Sequence, residues 1–174
     1  PRHVAHAPEV QEHVPLLLHL RVHEMIYYDR VQTDWPLQIH LQVGSHTPTW
    51  CTASGKLYLS SINRDRRLRL TKRLPLKQYT RNTIVDSDIL EKELGLIRKT
   101  GIGTDNEEFV DGMVACAVPV LDRHGKLFAC LFTHAPVIRK SLDELLGYVP
   151  MLTNAAMELS RLIDDPDGDL EGAK

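Results

Sequence analysis

Hydrophobic and polar positions alternate cleanly in two stretches of the first fifty residues. Leu18, Leu20 and Val22 interleave with His19, Arg21 and His23, the period-2 pattern of a half-buried strand. The β-rich run Met25 to Val31 follows and can pair back across the short His23-Glu24 connection. Leu37, Ile39, Leu41 and Val43 alternate with Gln38, His40 and Gln42 and predict another strand. Gly44 to Pro48 breaks this pattern. Helix-compatible sequence runs from about Ser54 to Ile62, and Arg64 to Arg73 predicts a second, strongly basic helix. Ser87 is placed to cap a helix whose Leu90, Leu94 and Ile97 fall at i, i+4 and i+7, with Gly101 suited to its C-terminal end. Ser141 and Glu144 match a capping box that opens a helix carrying Leu145, Val149, Leu152, Leu159 and Leu162. Pro150 should kink that helix or mark two abutting pieces.

The segment Met113 to His134 says most about architecture. It reads as two apolar strands joined by a turn at Asp122 to Lys126. A two-residue turn at His124-Gly125 would set Ala115 opposite His134 and Ala117 opposite Phe132. One face then carries Ala115, Ala117, Cys130, Phe132 and His134, and the other carries Val114, Cys116, Val118, Val120, Leu127, Ala129 and Leu131. Strands apolar on both faces belong to a sheet covered on both sides, here an α+β fold. The first face mixes small alanines with one phenyl and one imidazole, so it leaves room above it for a cavity.

Composition narrows the class. The 174 residues hold 21 Lys+Arg and 23 Asp+Glu, with 43% hydrophobic and 25% charged residues, enough for one buried core and against wholesale disorder. Pro1 to His13 reads as a terminal arm or linker, 14–163 as one domain, and 164–174 as an acidic, disordered tail. No apolar run approaches the roughly 20 residues of a membrane span, and no leader pattern opens the chain. Three cysteines, none in CxxC, argue against a zinc module or a disulfide framework. A reduced, cytoplasmic protein is expected.

Candidate chemistry is sparse. Cys130 and His134 would lie roughly 13 Å apart along a strand at about 3.3 Å per residue, too far to share a metal ion. Ser54-Gly55-Lys56 has the look of a phosphate-loop ending, but Trp50 stands five residues before Gly55 and Leu57 follows Lys56. A helix start is left whose free N–H groups suit an anionic or carbonyl-bearing ligand. No GxSxG exists, and Cys51 has no partner base legible in the sequence. Arg64 to Arg81 holds eight Lys/Arg against Asp65 alone, yet lacks the interleaved aromatics of a nucleic-acid stacking surface. A solvated helix face is the expected reading. In Gly103 to Glu108, two readings stand: a solvated turn in which Asp105 or Asn106 bonds its own backbone, or one carboxylate facing the cavity.

Several stretches resemble one family in order. Thr47-Pro48-Thr49-Trp50-Cys51-Thr52-Ala53-Ser54-Gly55-Lys56 resembles the LPLHCTASGK stretch of IclR-type transcriptional regulators, and Tyr79 to Ile84 resembles their (F/Y)TxxTI. Ile97-Arg98, Gly101 to Glu108, Gly112, Pro119 to Gly125 and Ala135 to Arg139 continue the match from about Leu16 to Ile163. The resemblance implies a GAF-like effector-binding domain, an antiparallel sheet with helices on both faces and a small-molecule pocket. It also implies self-association as a dimer or tetramer, with DNA reached only through an N-terminal winged helix-turn-helix domain, and no such pattern fits in Pro1 to His13. No catalysis, cofactor, metal or membrane contact is implied.

Carried over position by position, Asp105 matches the pocket aspartate, Ala53 and Ser54 match the helix-start positions, and Thr47 and Ile39 match apolar pocket walls. Ala115 stands at the common pocket cysteine, and Phe132 and His134 stand at two pocket serines. Loss of thiol and hydroxyl donors makes the pocket more apolar and points beyond a tiny polar acid to a larger aromatic or acyl effector, its carboxylate or carbonyl held by His134 or the helix-start amides. A small-molecule-converting enzyme on a GAF-like scaffold, relying on Cys51 or His134, is the alternative, and an oligomerisation module with a collapsed pocket is a third reading.

Overall fold

The computed structural model describes residues 14–21, 24–31 and 43–164. The arm 1–13, Val22, residues 37–42 of the strand expected over 37–43 with its Ile39, and the tail beyond Asp164 lie outside the described residues, while Val43 is an exposed turn residue. Among the described residues six antiparallel strands form one sheet: β1 (Val14–Arg21), β2 (Glu24–Val31), β3 (His46–Pro48), β4 (Gly103–Asn106), β5 (Met113–Leu121) and β6 (Leu127–Pro136), in the order β3-β2-β1-β6-β5-β4. The expected pairing of the first two strands is present, with Arg21 opposite Glu24. The described residues also form α1 (Ala53–Ser61), α2 (Arg64–Thr71), α3 (Ser87–Thr100), α4 (Leu142–Leu146) and α5 (Val149–Asp164).

The β5–β6 ladder sets Ala115 opposite His134 and Ala117 opposite Phe132, the expected register, but the turn differs. The Asp122 amide donates to the Lys126 carbonyl and Gly125 adopts φ 70°, a three-residue loop that needs a glycine at its left-handed position. A one-residue shift between Val120 and Leu121 then restores the pairing sum. Because of that bulge Leu127 changes sides. Expected among Val118 and Val120, it packs instead against the core on the other side of the sheet, which holds Leu57, Ile97 and Cys130.

The sheet separates two cores. On one side α1 lies against the strands with α3 outside it, around Met25, Tyr27, Leu57, Leu90, Leu94, Ile97 and Phe132. On the other side α4 and α5 cover Val114, Cys116, Val118, Val120, Ala129 and Leu131 with Leu145, Leu152 and Ala156. The fold is therefore α+β, an antiparallel sheet flanked by helices. Cys116 and Cys130 fall in different cores, and all three cysteines are free.

The helix ends follow local chemistry. Asp86, not Ser87, caps α3, because its carboxylate accepts from the amides of both Asp88 (2.8 Å) and Ile89 (2.9 Å). Gly101 closes α3 at φ 71°. Ser141 and Glu144 form the reciprocal capping box at α4. Pro150 sits in the first turn of α5, where its missing N–H is not needed, so the two pieces abut. Leu162 stays half-exposed while Leu152 is buried. No helix among the described residues is long and apolar enough to cross a membrane.

Candidate functional site

Helix α1 is buried from Ala53 through Ser60, so it has no solvated face and its start is fixed by contacts all round. Thr52 caps it: the hydroxyl accepts from the Gly55 amide (3.2 Å) and donates to the Pro48 carbonyl (2.7 Å). A Cβ on Gly55 would run into the Thr49 backbone, and one on Gly103 into the Ala53 carbonyl oxygen. The Ser54-Gly55-Lys56 run is thus a packing device that lets α1 press against residue 49 and β4. The first four amides of an α-helix have no acceptor within the helix. Here Thr52 takes those of Gly55 and Lys56 through its hydroxyl and carbonyl, which leaves Ala53 and Ser54 at the helix mouth.

That mouth opens on a cavity of about 50 Å³. Thr47, Ala53, Ser54, Asp105, Ala115, Phe132 and His134 all line it, seven of the eight positions singled out in the sequence; the eighth, Ile39, is outside the described residues. The face does have room above it, but little. Phe132 stands in its wall, edge-on to Tyr27 (centroids 5.5 Å) and stacked on His134 (5.8 Å). Tyr27, Thr52, Phe109, Val110, Met113 and Val114 also line the cavity and were missed. Tyr27 and Met113 could have been found by parity, the one two residues along β2 from Met25, the other two residues before Ala115 in β5; Phe109 and Val110 lie in a connection without period.

Asp105 lies in strand β4 and is buried, so the solvated-turn reading fails, although its Oδ1 does accept from the Glu108 amide (2.7 Å). The residue lines the cavity. Burial, with Glu108 beside it, pushes its pKa up to about 7 against the pull of backbone amides and Lys56. Behind it stands an ion pair that sequence reasoning did not find. Lys56 is fully buried, its Nζ 2.5 Å from Glu108 Oε1 and 3.2 Å from Glu93 Oε1. Burial raises the Glu108 pKa, opposed first by Lys56, and Oε2 of Glu108 has no partner among the described residues. The Thr47 hydroxyl, buried at the cavity wall, also has none.

Two sequence expectations need correction or sharpening here. The basic run is not uniformly solvated: Arg67 is buried, pairs with Glu91 through Nη2 (2.5 Å) and donates to the Ser60 carbonyl (3.2 Å). Arg98 from α3 donates to the same carbonyl (2.8 Å), so two guanidinium groups hold the C-terminal end of α1. Burial, with Asp105 and Glu108 nearby, drives the Cys51 thiol far above its ordinary pKa, which leaves it un-ionised and a poor nucleophile. Burial likewise lifts Cys130 to about 12. Among the described residues no group of three His, Cys, Asp or Glu side chains could hold a metal ion.

A helix mouth, an adjoining carboxyl and an aromatic wall over an antiparallel sheet can now be compared with known proteins. The model of the bacterial transcriptional regulator IclR C-terminal domain matches residues 7–161. The chain belongs to the IclR family. It is the effector-sensing domain of such a regulator. Over 136 residues, 78% of the chain, it is 41% identical to the transcriptional regulator SauR of Cupriavidus necator and 33% identical to KdgR of Escherichia coli. These matches take in 54% and 52% of the two regulators, so this IclR domain spans about half the length of the curated relatives. Among solved structures, the C-terminal domain of Escherichia coli KdgR is 31% identical with a TM-score of 0.76, and the match covers 87% of each chain. A double mutant of the inducer-binding domain of PobR from Acinetobacter, solved as its 3-hydroxybenzoic acid complex, is 26% identical with a TM-score of 0.82, covering 91% of this chain and 99% of that one.

Proposed function

We propose that this IclR domain senses a small organic acid in the cavity at the start of α1. The single observation that carries the reading is the pair of helix-start amides, Ala53 and Ser54, left without intrahelical acceptors at a cavity that Asp105 and His134 also line. The amides and the positive end of the helix dipole hold the carboxylate; Asp105 and His134 orient it; Ala115, Phe132 and Thr47, with Ile39 carried over by resemblance, wall its apolar part. That a relative's inducer-binding domain was solved with an aromatic acid supports the acid class. The size of the cavity favours a compact acid over a benzoate or acyl chain while Phe132 holds its place. The GAF-like topology fits the strand order and the helices on both faces. In the whole regulator, the domain self-associates as a dimer or tetramer, and the effector shifts the balance between two arrangements of DNA-binding units supplied outside this domain.

A thermal-shift screen tests this. Acetate, glyoxylate, pyruvate and 3-hydroxybenzoate are titrated against the wild-type domain and Phe132→Ala. A compact acid at 100 times its Kd adds about 2.7 kcal/mol to the wild type, a shift of several degrees. Phe132→Ala loses about 3–5 kcal/mol of intrinsic stability but gains a response to 3-hydroxybenzoate. A wild type that ignores every acid refutes the reading.

A further inference from the structure

The charges around the α1 start do not balance. Lys56 supplies one ammonium to three buried or half-buried carboxyls, and it lies against Glu108 (2.5 Å) and Glu93 (3.2 Å). Asp105 has no cationic partner within salt-bridge distance among the described residues. The Glu108 amide donates to Oδ1 (2.7 Å) and the Phe109 amide also reaches the carboxyl, and the residue lines the cavity. The other titratable groups around it have known places. Cys51, just before α1, is an un-ionised thiol. Lys56 from α1, Glu93 from α3 and Glu108 from its own loop form the ion-paired cluster. His134 comes from β6 and Tyr27 from β2. An anion seated on the Ala53 and Ser54 amides would meet Asp105 directly, and two unscreened negative charges in so buried a place repel strongly.

We propose that the site takes its acid effector as an anion together with one proton, and that Asp105 is a specificity-determining residue that donates a hydrogen bond to that anion from its protonated carboxyl. The inference rests on the small-acid reading and deepens it: Asp105 then selects an anionic acid over the neutral amide of the same shape, which offers no charge to answer the donor. No covalent bond changes; the proton comes from solvent onto the cavity-facing side of the Asp105 carboxyl. With Asp105 titrating near 7 in the free domain, binding takes up about 0.9 proton per effector at pH 8 and about 0.1 at pH 6. Affinity therefore falls about 90-fold between pH 6 and pH 9.

Two measurements test it. Carbon-13 NMR of the aspartate carboxyls in the free domain, assigned by Asp105→Asn, should show one midpoint near 7; a midpoint below about 5 overturns the inference. Calorimetry with acetate, glyoxylate, pyruvate and 3-hydroxybenzoate, in buffers of different ionisation enthalpy, counts the protons. Uptake near 0.9 at pH 8 in wild type and in His134→Gln, lost in Asp105→Asn, is the expected result. Asn keeps the acceptor for the Glu108 amide, so that variant should fold. Uptake that survives in Asp105→Asn and disappears in His134→Gln overturns the inference, as does binding without uptake. If no probe binds at any pH, the small-acid reading falls and this inference falls with it, whereas binding without uptake sinks the proton alone.

Discussion

Replacing Lys56 by methionine keeps most of the side-chain volume and removes the ammonium that faces Glu108 and Glu93. Lys56 is 0% exposed and Glu108 6%, so little solvent can replace the lost partner. Deleting one member of a buried pair costs about 3–5 kcal/mol, a large part of the roughly 5–15 kcal/mol that holds a domain together. At roughly 2–4 °C per kcal/mol for a chain of this size, the melting temperature should drop by roughly 6–20 °C. The loss depends on pH, and its sign follows from Glu108. Its pKa in the folded domain lies above the ordinary carboxylate value, and without Lys56 it rises further. A carboxyl of that kind contributes its full stability below the unfolded pKa and loses it as pH climbs toward the folded one. The deficit of Lys56→Met relative to wild type should therefore be small near pH 5 and widen toward pH 8. Urea unfolding followed by circular dichroism at both pH values measures it, with the double variant Lys56→Met/Glu108→Gln as a check. The double variant should lose less at pH 8 than Lys56→Met alone, because no uncompensated carboxylate stays behind. A deficit under about 1 kcal/mol at pH 8, or one that does not change with pH, would refute the reasoning.

Gly103→Ala forces a Cβ into the Ala53 carbonyl oxygen and to 2.9 Å from the Leu57 Cβ, so urea unfolding should show a loss of about 1–3 kcal/mol. Gly95→Ala, in the body of α3 with nothing within 4 Å of the new methyl, should gain roughly 0.5–1 kcal/mol in the same assay. Thr47→Val removes a buried hydroxyl that has no partner among the described residues, and calorimetry of the ligand-free domain should show it about 1 kcal/mol more stable than wild type.

The sequence was most legible where local rules act alone. The alternation in β5 and β6 fixed which residues share a face, and the capping box at Ser141 and the glycine at 101 marked helix ends correctly. It misled where two local rules compete. Ser87 and Asp86 are both good caps, and the carboxylate prevailed by accepting two amides at once. Leu127 crossed to the other core because one bulge, invisible in a period-2 pattern, inverts parity for the residues on the turn side of it. Lys56 and Arg67 lay beyond such rules. Their partners are 52 and 24 residues away, and a charged side chain in a basic or amphipathic stretch carries no sign that the fold will bury it. The cavity residues were legible in advance chiefly through resemblance; periodicity alone supplied only Ala115, Phe132 and His134 as one face.

The two-sided sheet gives the chamber and the α4–α5 layer separate cores. Neighbouring residues of β5 and β6 point into different cores, so exchanging Ala115, Phe132 or His134 alters the chamber under α1 and the core it shares without placing an atom among Val118, Leu131 and Leu152. The α4–α5 layer contributes no residue to the cavity lining, and amide exchange there should remain slow when the chamber is altered. Changes in the chamber thus loosen one core and leave the other packed.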